Sequence, residues 1–395
     1  EKLKITQNGR VINGAKNQQT SQPVVLPDGL TWETATTTNG GLDLTAFKDH
    51  ITFTGDYYTR VTKNMFTVGQ TLPAIFGTDV PKGNYADLKT NGWEISLGWK
   101  DQFNVASKPL NYGVSVSLAD ARTTITKYNN TNSKLTDWYA GQRYGQIWGY
   151  VNDGYWTKEN VSQAEKAQAL FKASNTGKWL PGDIKFKDIS GDGVINNGAN
   201  TLEDHGDLAI IGDSAQHYTY GISLSADWNN FFIGAFFQGV MQQDWWPGSE
   251  SDVFWGQYNR PYNFMPKSQI GKTWSEENPD AYFPRYRGYV AQNGSGELKP
   301  PQSKYLQNAA YIRLRNIQLG YNIPKSLISR AKISAARVYV SADNIWTWSP
   351  MFRVTRDLDP ESIRRSDTVT DSGNSGNGNN YPILKSWNVG LNITL

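Results

Sequence analysis

Apolar and polar side chains alternate strictly over the last nine residues of the chain, 387–395. Because successive side chains of a strand point to opposite faces, this stretch predicts a strand with one apolar and one polar face. The same period of two recurs upstream at 51–61, 93–100, 112–119, 218–228 and 338–343. Strands of this kind build a wall with lipid on one side and water on the other. The pattern predicts an all-β fold, a transmembrane antiparallel β-barrel.

Turn and loop signals divide the chain into about ten strands of barrel type. We predict these strands near 31–46, 51–61, 86–100, 110–126, 143–156, 215–228, 231–242, 310–322, 335–348 and 383–395. Short turns alternate with long loops, an arrangement typical of outer-membrane barrels with long extracellular loops. Residues 1–30 are polar and turn-rich, so we expect a loop there with at most one short strand. The barrel portion then covers 31–395.

One short helix is predicted inside a long loop, at about 162–174. Ser162 and Glu165 have the spacing of a capping box, in which the two side chains satisfy free backbone N–H groups at the helix start. Gly177 is a plausible stop for this helix. Its apolar stripe is narrow and suits packing against the loop.

Composition excludes several classes of protein. No run of about 18 apolar residues occurs, so a helical membrane protein is excluded. The 15 Trp and 21 Tyr are expected of aromatic girdles at membrane interfaces, and the chain has no cysteine. The net charge of +3 comes from 39 basic and 36 acidic residues without a long basic run, which argues against nucleic acid as a partner. The alternative to a membrane barrel is a secreted, aromatic-rich β-sandwich or propeller that binds or hydrolyses polysaccharide.

A calcium-like turn follows the predicted helix. Asp188, Ser190 and Asp192 supply oxygens at positions 1, 3 and 5 of the loop, and the backbone carbonyl of Val194 stands at position 7. Position 12 is Ala199 instead of the expected acid, so Asp207 or a neighbouring acid would have to complete the site. The alternatives are a structural Ca²⁺ that orders the loop and an Asp/Gly turn without metal.

The longest stretch without strand signals, about 243–308, is rich in aromatic residues. Trp245, Trp246, Trp255 and Tyr258 are candidates for stacking on sugar rings or on a lid protein, because aromatic faces bury much area with little entropy loss. The alternative is that they pack the loop onto itself. The three histidines show no ligand spacing and no nucleophile motif is present, so no catalytic residues are assigned.

Several short motifs stand at 91–94, 182–193, 209–212, 218–221, 311–316, 319–321, 344–348 and 359–361. In combination they resemble the C-terminal half of SusC-like TonB-dependent outer-membrane transporters of Bacteroidetes. The last strand also resembles the signal that the barrel-assembly machinery reads, through Asn388, Gly390, Ile393 and Leu395, although Leu395 replaces the usual terminal aromatic.

This resemblance implies a 22-strand barrel with an N-terminal plug, a TonB box and a SusD-like surface lipoprotein as a lid. Neither plug nor TonB box is visible in this chain. We expect both of them, together with the rest of the barrel, in another part of the protein. The implied function is energy-dependent import of an oligomeric nutrient, glycan or peptide, across the bacterial outer membrane. Such a protein is not an enzyme, because TonB supplies the energy and no bond of the substrate is broken.

Overall fold

The computed structural model describes residues 5–12, 14–20, 29–70, 72, 75, 80–171, 178–248, 251–260, 262–287, 292, 295–363 and 381–395. Strands dominate these residues. They are β1 Ile5–Ile12, β2 Ala15–Thr20, β3 Thr34–Ala46, β4 Ile51–Val68, β5 Lys82–Val105, β6 Lys108–Lys127, β7 Gln146–Tyr150, β8 Asn152–Tyr155, β9 Ile184–Phe186, β10 Leu208–Asp213, β11 His217–Trp228, β12 Phe231–Gln242, β13 Asp244–Trp245, β14 Gln307–Asn308, β15 Tyr311–Asn322, β16 Ala335–Trp348 and β17 Ser386–Thr394.

Nine of these strands form one antiparallel sheet in the order β3, β4, β5, β6, β11, β12, β15, β16, β17. Each strand pairs with the next sheet strand along the chain, so the sheet is a meander whose short turns lie at 47–50, 106–107 and 229–230. Nine of the ten predicted barrel strands are therefore confirmed. Both edge strands, β3 and β17, have one side without a partner strand among the described residues.

The register gives the sheet one apolar face and one polar face. A row of directly paired residues crosses the apolar face as Ile51, Trp99, Val114, Leu224, Ala235, Ile317, Ala342 and Trp387. The neighbouring row on the other face reads Thr52, Gly98, Ser115, Ser223, Phe236, Asn316, Asp343 and Ser386. The apolar face is exposed, with Val389 at 80% and Val340 at 47% accessibility. The alternation predicted from the sequence thus holds across all of these strands.

Two regions differ from the predicted strands. The stretch 143–156 forms β7 and β8, which pair with β10 and β9 in two small sheets outside the nine-stranded one. Residues 1–30 contain the hairpin of β1 and β2 where at most one short strand was expected. Gly14, directly before β2, lies at φ 79°, a value that glycine adopts at little cost.

The helices among the described residues are all short. They are the α-helical turns α1 Ala164–Ala167, α2 Asp252–Trp255 and α3 Lys325–Ile328, and the 3₁₀ turns Val161–Gln163, Gly256–Tyr258, Lys267–Gln269, Ser329–Ala331 and Pro350–Arg353. The sequence predicted one loop helix, whereas the described loops contain several short helical turns. No helix within the described ranges is long and apolar enough to cross a membrane.

The predicted helix at 162–174 is much shorter than expected, and its capping box is absent. Ser162 lies inside the 3₁₀ turn, and α1 begins with no side-chain bond to its free N–H groups. Gln168 follows α1 as a buried residue whose amide bonds the carbonyl of Ile184 and the N–H of Phe186. Packing against β9 therefore overrides the propensity for a longer helix. Gly177 lies outside the described residues.

The long connections fold together at the end of the sheet opposite the short turns. We call the described residues of 128–216, 243–310 and 349–363 the loop body. One buried aromatic core joins all three connections, with Tyr150 and Phe186 from the first, Trp255 and Tyr305 from the second, and Met351 from the third. The loop body is a packed structure and not a set of separate loops.

Candidate functional site

The loop body is built onto the wall of the sheet by backbone hydrogen bonds. Beyond the point where β6 leaves β11, Tyr144 N–H donates to the Thr123 carbonyl at 2.9 Å and Ile125 N–H donates to the Gln142 carbonyl at 2.9 Å. The chain then enters β7, which pairs with β10. These hydrogen bonds fix the start of the loop body, which leads into the pair of β7 and β10, to the end of β6.

Three of the four aromatic candidates for substrate or lid contact are buried in this core. Trp245, Trp255 and Tyr258 are 2%, 0% and 1% exposed. The prediction that their rings contact a ligand directly is therefore corrected, because their faces are covered by the loop body itself. Trp246 is partly buried and packs against the same core.

Hydrogen bonds and ring contacts hold these buried side chains in place. The Trp255 indole N–H donates to the Pro247 carbonyl at 2.7 Å, and the Tyr258 hydroxyl donates to the Pro284 carbonyl at 2.7 Å. The ring of Trp255 also lies 5.3 Å from that of Tyr305 in an edge-to-face contact. Burial raises the pKa of the Tyr258 hydroxyl above its ordinary value. A buried aromatic whose polar atom is satisfied stabilises the fold, and the sequence alone could not separate this role from ligand stacking.

A buried charge cluster ties the loop body together. The Asp183 carboxylate accepts two hydrogen bonds from Arg287, at 2.8 Å from Nε and 2.5 Å from Nη2. Glu297 is 2% exposed, and its Oε2 has no hydrogen-bond partner. Burial, with the nearby negative charge of Asp183, raises the pKa of Glu297 to about 7. This acid therefore titrates near neutral pH inside the loop body.

The calcium-like turn is closed by its own hydrogen bonds. The Asp188 carboxylate accepts the N–H of Gly191 at 2.6 Å and that of Gly193 at 2.8 Å. These N–H groups hold the pKa of Asp188 below its ordinary value. Ser190 donates its hydroxyl to Asp188 at 3.2 Å, and Asp192 accepts the N–H of Val194 at 2.8 Å.

Asp207, predicted as the acid that completes a metal site, lies buried beneath this turn. It accepts the N–H groups of Ile189, Ser190 and Asn196 at 2.7, 3.0 and 2.8 Å. No group of three or more His, Asp or Glu side chains in the described part of the chain is placed to hold a metal ion. Calcium binding at this turn stays a prediction from the sequence.

Two arginines of β15 bind the connection between β16 and β17. Arg313 is 3% exposed and contacts Asp359 at 2.5 Å and Glu361 at 2.7 Å, and Arg315 also pairs with Glu361. A register shift at Arg315 places it on the polar face, where Nε donates to Gln238 at 3.1 Å. The motifs at 311–316 and 359–361 are therefore partners. The sequence does show two arginines among apolar strand residues, which is a signal for buried ion pairs. It does not identify their partners, because these lie far along the chain.

His217 is satisfied by carboxylates and carries no sign of catalysis. Its Nδ1 lies 2.6 Å from Asp120 and its Nε2 lies 3.2 Å from Asp213. Asp120 belongs to β6 and Asp213 to β10, so the imidazole joins the sheet to the loop body. The expectation of a satisfied histidine is confirmed at this position.

The residues of the predicted assembly signal lie on the edge strand β17 and at its end. Asn388 is near Asp343, with its Nδ2 3.4 Å from the carboxylate. Ile393 and Leu395 are 51% and 91% exposed, on the apolar face of the strand. Gly390 pairs with Tyr339 of β16. These positions agree with the predicted strand, and the role of the signal stays a prediction.

Comparison by sequence finds TonB-dependent receptors, and comparison by structure finds a transporter. No protein-family model matches the chain. TonB-dependent receptor P3 of Formosa agariphila is 24% identical over 382 residues, 93% of this chain and 34% of the relative. TonB-dependent receptor SusC of Bacteroides thetaiotaomicron is 23% identical over 384 residues, 95% of this chain and 33% of the relative. Among solved structures, the RagAB peptide transporter matches with a TM-score of 0.67 at 20% identity, over 99% of this chain and 38% of the other.

The resemblance to SusC-like TonB-dependent receptors is confirmed. The fold is the wall of an outer-membrane β-barrel, so the sandwich or propeller alternative is excluded. The relatives are receptors and transporters and not enzymes, in agreement with the sequence. The chain spans about a third of the length of the curated relatives that it matches.

Proposed function

We propose that this chain is the C-terminal part of the barrel of a SusCD-type importer, which carries an oligomeric nutrient across the outer membrane. Its plug and TonB box would lie in another part of the same protein, and TonB would supply the energy. The observation that carries the proposal is the nine-stranded sheet with one continuous apolar and one continuous polar face. Such a sheet suits a wall between lipid and an aqueous lumen.

The open edges of the sheet support the same proposal. β3 and β17 present backbone N–H and C=O groups that no described strand pairs. Unpaired edges cannot face hydrocarbon, because each unsatisfied backbone group there costs several kcal/mol. Further strands of the same barrel would close both edges.

Two substrate classes, glycan and peptide, remain in the proposal. The RagAB structure is that of a peptide transporter, whereas the name of the SusC relative states no substrate. The loop body, a packed structure at the long-loop end, would form part of the vestibule where substrate and a SusD-like lipoprotein meet. Aromatic rings alone do not favour glycan here, because the candidate rings are mostly buried.

The test uses the full-length protein expressed in its outer membrane. Cells are given fluorescent oligosaccharides or fluorescent oligopeptides, with and without a protonophore. We expect accumulation of one class that the protonophore abolishes and that requires the intact protein. Accumulation of neither class, or accumulation indifferent to the protonophore, would count against energy-dependent import.

A further inference from the structure

The apolar face of the sheet changes character near its long-loop end. On β5 the side chains of this face run from the short-turn end as Trp99, Leu97, Ile95, Trp93, Asn91 and Lys89. Their partners on β6 run as Val114, Val116, Leu118, Asp120, Arg122 and Thr124. Both strands therefore pass from apolar to polar and charged side chains at the same level of the wall.

Aromatic rings mark this level. Tyr57 of β4 pairs directly with Trp93 of β5, and the ring centroids of Trp93 and Tyr218 lie 6.4 Å apart. Tyr and Trp gather where a barrel wall leaves the hydrocarbon, because these rings are apolar and carry one polar atom. We call Tyr57, Trp93 and Tyr218 the aromatic belt. Since long loops of such barrels are extracellular, the belt lies at the extracellular boundary of the membrane.

Three basic residues stand beyond the aromatic belt on the same side of the sheet. Lys89 pairs with Val61 of β4 and with Thr124 of β6. Lys63 lies two residues beyond that valine, and Arg122 lies two residues before that threonine. Both are therefore diagonal neighbours of Lys89, about 7–8 Å away and within reach of long side chains. All three are exposed, and we call them the basic patch.

The two lysines of the basic patch have no carboxylate partner. Neither Lys63 nor Lys89 forms an ion pair with any residue in the described ranges. The nearest acid along β5, Asp87, pairs with Lys127 across the strands and accepts the N–H of Asn64 at 2.8 Å. This acid is balanced by a different lysine, so both lysines of the patch keep their charge for an external partner.

Arg122 is held in place while its guanidinium remains accessible. Its Nη2 donates to the Tyr218 hydroxyl at 3.1 Å, and its Nε lies 3.4 Å from the Asp120 carboxylate. Asp120 is 7% exposed and also contacts Nδ1 of His217 at 2.6 Å. The side chain of Arg122 is 46% exposed. A guanidinium has five N–H donors, so these contacts leave donors available for an anion.

The height of the basic patch matches the headgroup layer of the membrane. Arg122 pairs with Asn91, which lies two residues beyond Trp93, and Lys89 lies four residues beyond it. With a rise of about 3.4 Å per residue and a tilt of about 40°, these levels stand about 5 and 10 Å above the belt. The headgroup region is about 5–7 Å thick on each side of the hydrocarbon. Arg122 therefore stands within this layer, and Lys89 reaches it with its long side chain.

We infer that the basic patch binds the phosphorylated headgroup of a lipid in the outer leaflet of the membrane. Arg122 offers parallel N–H donors to the phosphate, Lys89 offers a mobile point charge, and Lys63 adds a charge at the rim. The acyl chains of the same lipid lie against the aromatic belt and the apolar face below it. The inference goes beyond import, because it rests on the barrel wall and its membrane and not on the substrate.

The test measures lipid binding by the full-length protein, purified as an assembled barrel in a neutral detergent. Diphosphorylated lipid A is the probe, and the bound fraction is read by native mass spectrometry. Lys89→Gln with Arg122→Gln should weaken binding about thirtyfold, because two cations are removed from an anionic headgroup. Lys89→Gln alone should weaken it about fivefold, and it leaves the contacts of Arg122 with the belt intact.

Arg60→Gln is the matched control. Arg60 is exposed on β4 and pairs with Thr90, the residue next to Lys89, but its side chain lies on the polar face of the sheet. This variant should bind lipid A as the unsubstituted protein does. Dephosphorylated lipid A should bind the unsubstituted protein no more tightly than diphosphorylated lipid A binds the double variant.

Three results would overturn the lipid site. The first is equal binding by the double variant and by Arg60→Gln, or equal binding of lipid A with and without its phosphates. The second is displacement of the lipid by inorganic phosphate, which would assign the patch to a soluble anion. The third is a double variant that still binds lipid but no longer self-associates, which would assign the patch to a contact between two copies of the receptor. None of these results bears on substrate import, which is measured separately.

Discussion

The ring of Tyr339 lies over Gly390 across the last strand pair of the sheet. The two residues are direct partners in the β16–β17 register, and a Cβ atom at position 390 would overlap the tyrosine ring. An aromatic ring that covers a glycine in the neighbouring strand helps to fix the register of a curved sheet. Gly390 therefore has a packing role beside its predicted place in the assembly signal.

These two roles of Gly390 can be separated by a pair of substitutions. Gly390→Ala should reduce the fraction of assembled barrel, because the new methyl group displaces Tyr339 at a cost of about 1–3 kcal/mol. Tyr339→Ser in the same chain should restore assembly, since it removes the overlapping ring. Assembly is measured as the fraction that migrates as a closed barrel in unheated gels. If the second substitution does not restore assembly, the glycine is read by the assembly machinery and the packing explanation is wrong.

The arginine contacts of β15 should hold the connection between β16 and β17 in place. Arg313→Ala leaves the partly buried carboxylates of Asp359 and Glu361 without this buried partner, and breaking such a pair costs about 3 kcal/mol. We expect faster proteolysis within 350–363 in the folded barrel. Arg356→Ala is the control, because Arg356 is exposed on the same connection. Equal cleavage of the two variants would show that the arginine pair does not anchor the connection.

Glu297 should make the loop body less stable as the pH rises. Its ordinary pKa is 4.5 and its pKa in the folded protein is about 7, so the folded state holds the proton more tightly. The stabilisation is complete below about pH 4.5 and is lost between there and about pH 7, a change of about 3 kcal/mol. Hydrogen exchange of the loop body, measured from pH 5 to pH 8 and corrected for intrinsic rates, should show this loss. Glu297→Gln should flatten the dependence, and an equally steep profile in that variant would assign the titration to another group.

The turn at 188–193 should depend on Asp207 more than on a metal ion. Asp207→Ala removes the acceptor of three backbone N–H groups, so residues 188–207 should become sensitive to protease. Glu203→Ala, an exposed acid on the same loop, should have little effect. A chelator should leave cleavage of the unsubstituted protein unchanged. Protection that disappears with chelator and returns with Ca²⁺ would restore the calcium site that the sequence suggests.

The sheet could be predicted closely from the sequence because its signal is local. Alternation at 218–228 or 387–395 is decided by neighbouring residues, and a barrel wall repeats it in each strand. The loop body could not be predicted in the same way. Whether Trp255 is buried depends on contacts such as that with Tyr305, which lies far along the same connection and reaches Trp255 only when that connection folds back on itself. The same holds for Arg313, whose partners follow some 46 residues later.

Single cysteines along β17 give the most direct test of the barrel wall, because this chain has no cysteine of its own and any cysteine elsewhere in the full-length protein can be replaced by serine. Spin labels at positions 387, 389, 391 and 393, and at 388, 392 and 394, are measured in the assembled full-length protein in lipid. We predict high accessibility to oxygen at the odd positions and to a water-soluble nickel complex at the even positions, with a period of two. Equal accessibility along the strand, or the opposite alternation, would contradict the assignment of this face to lipid and with it the barrel.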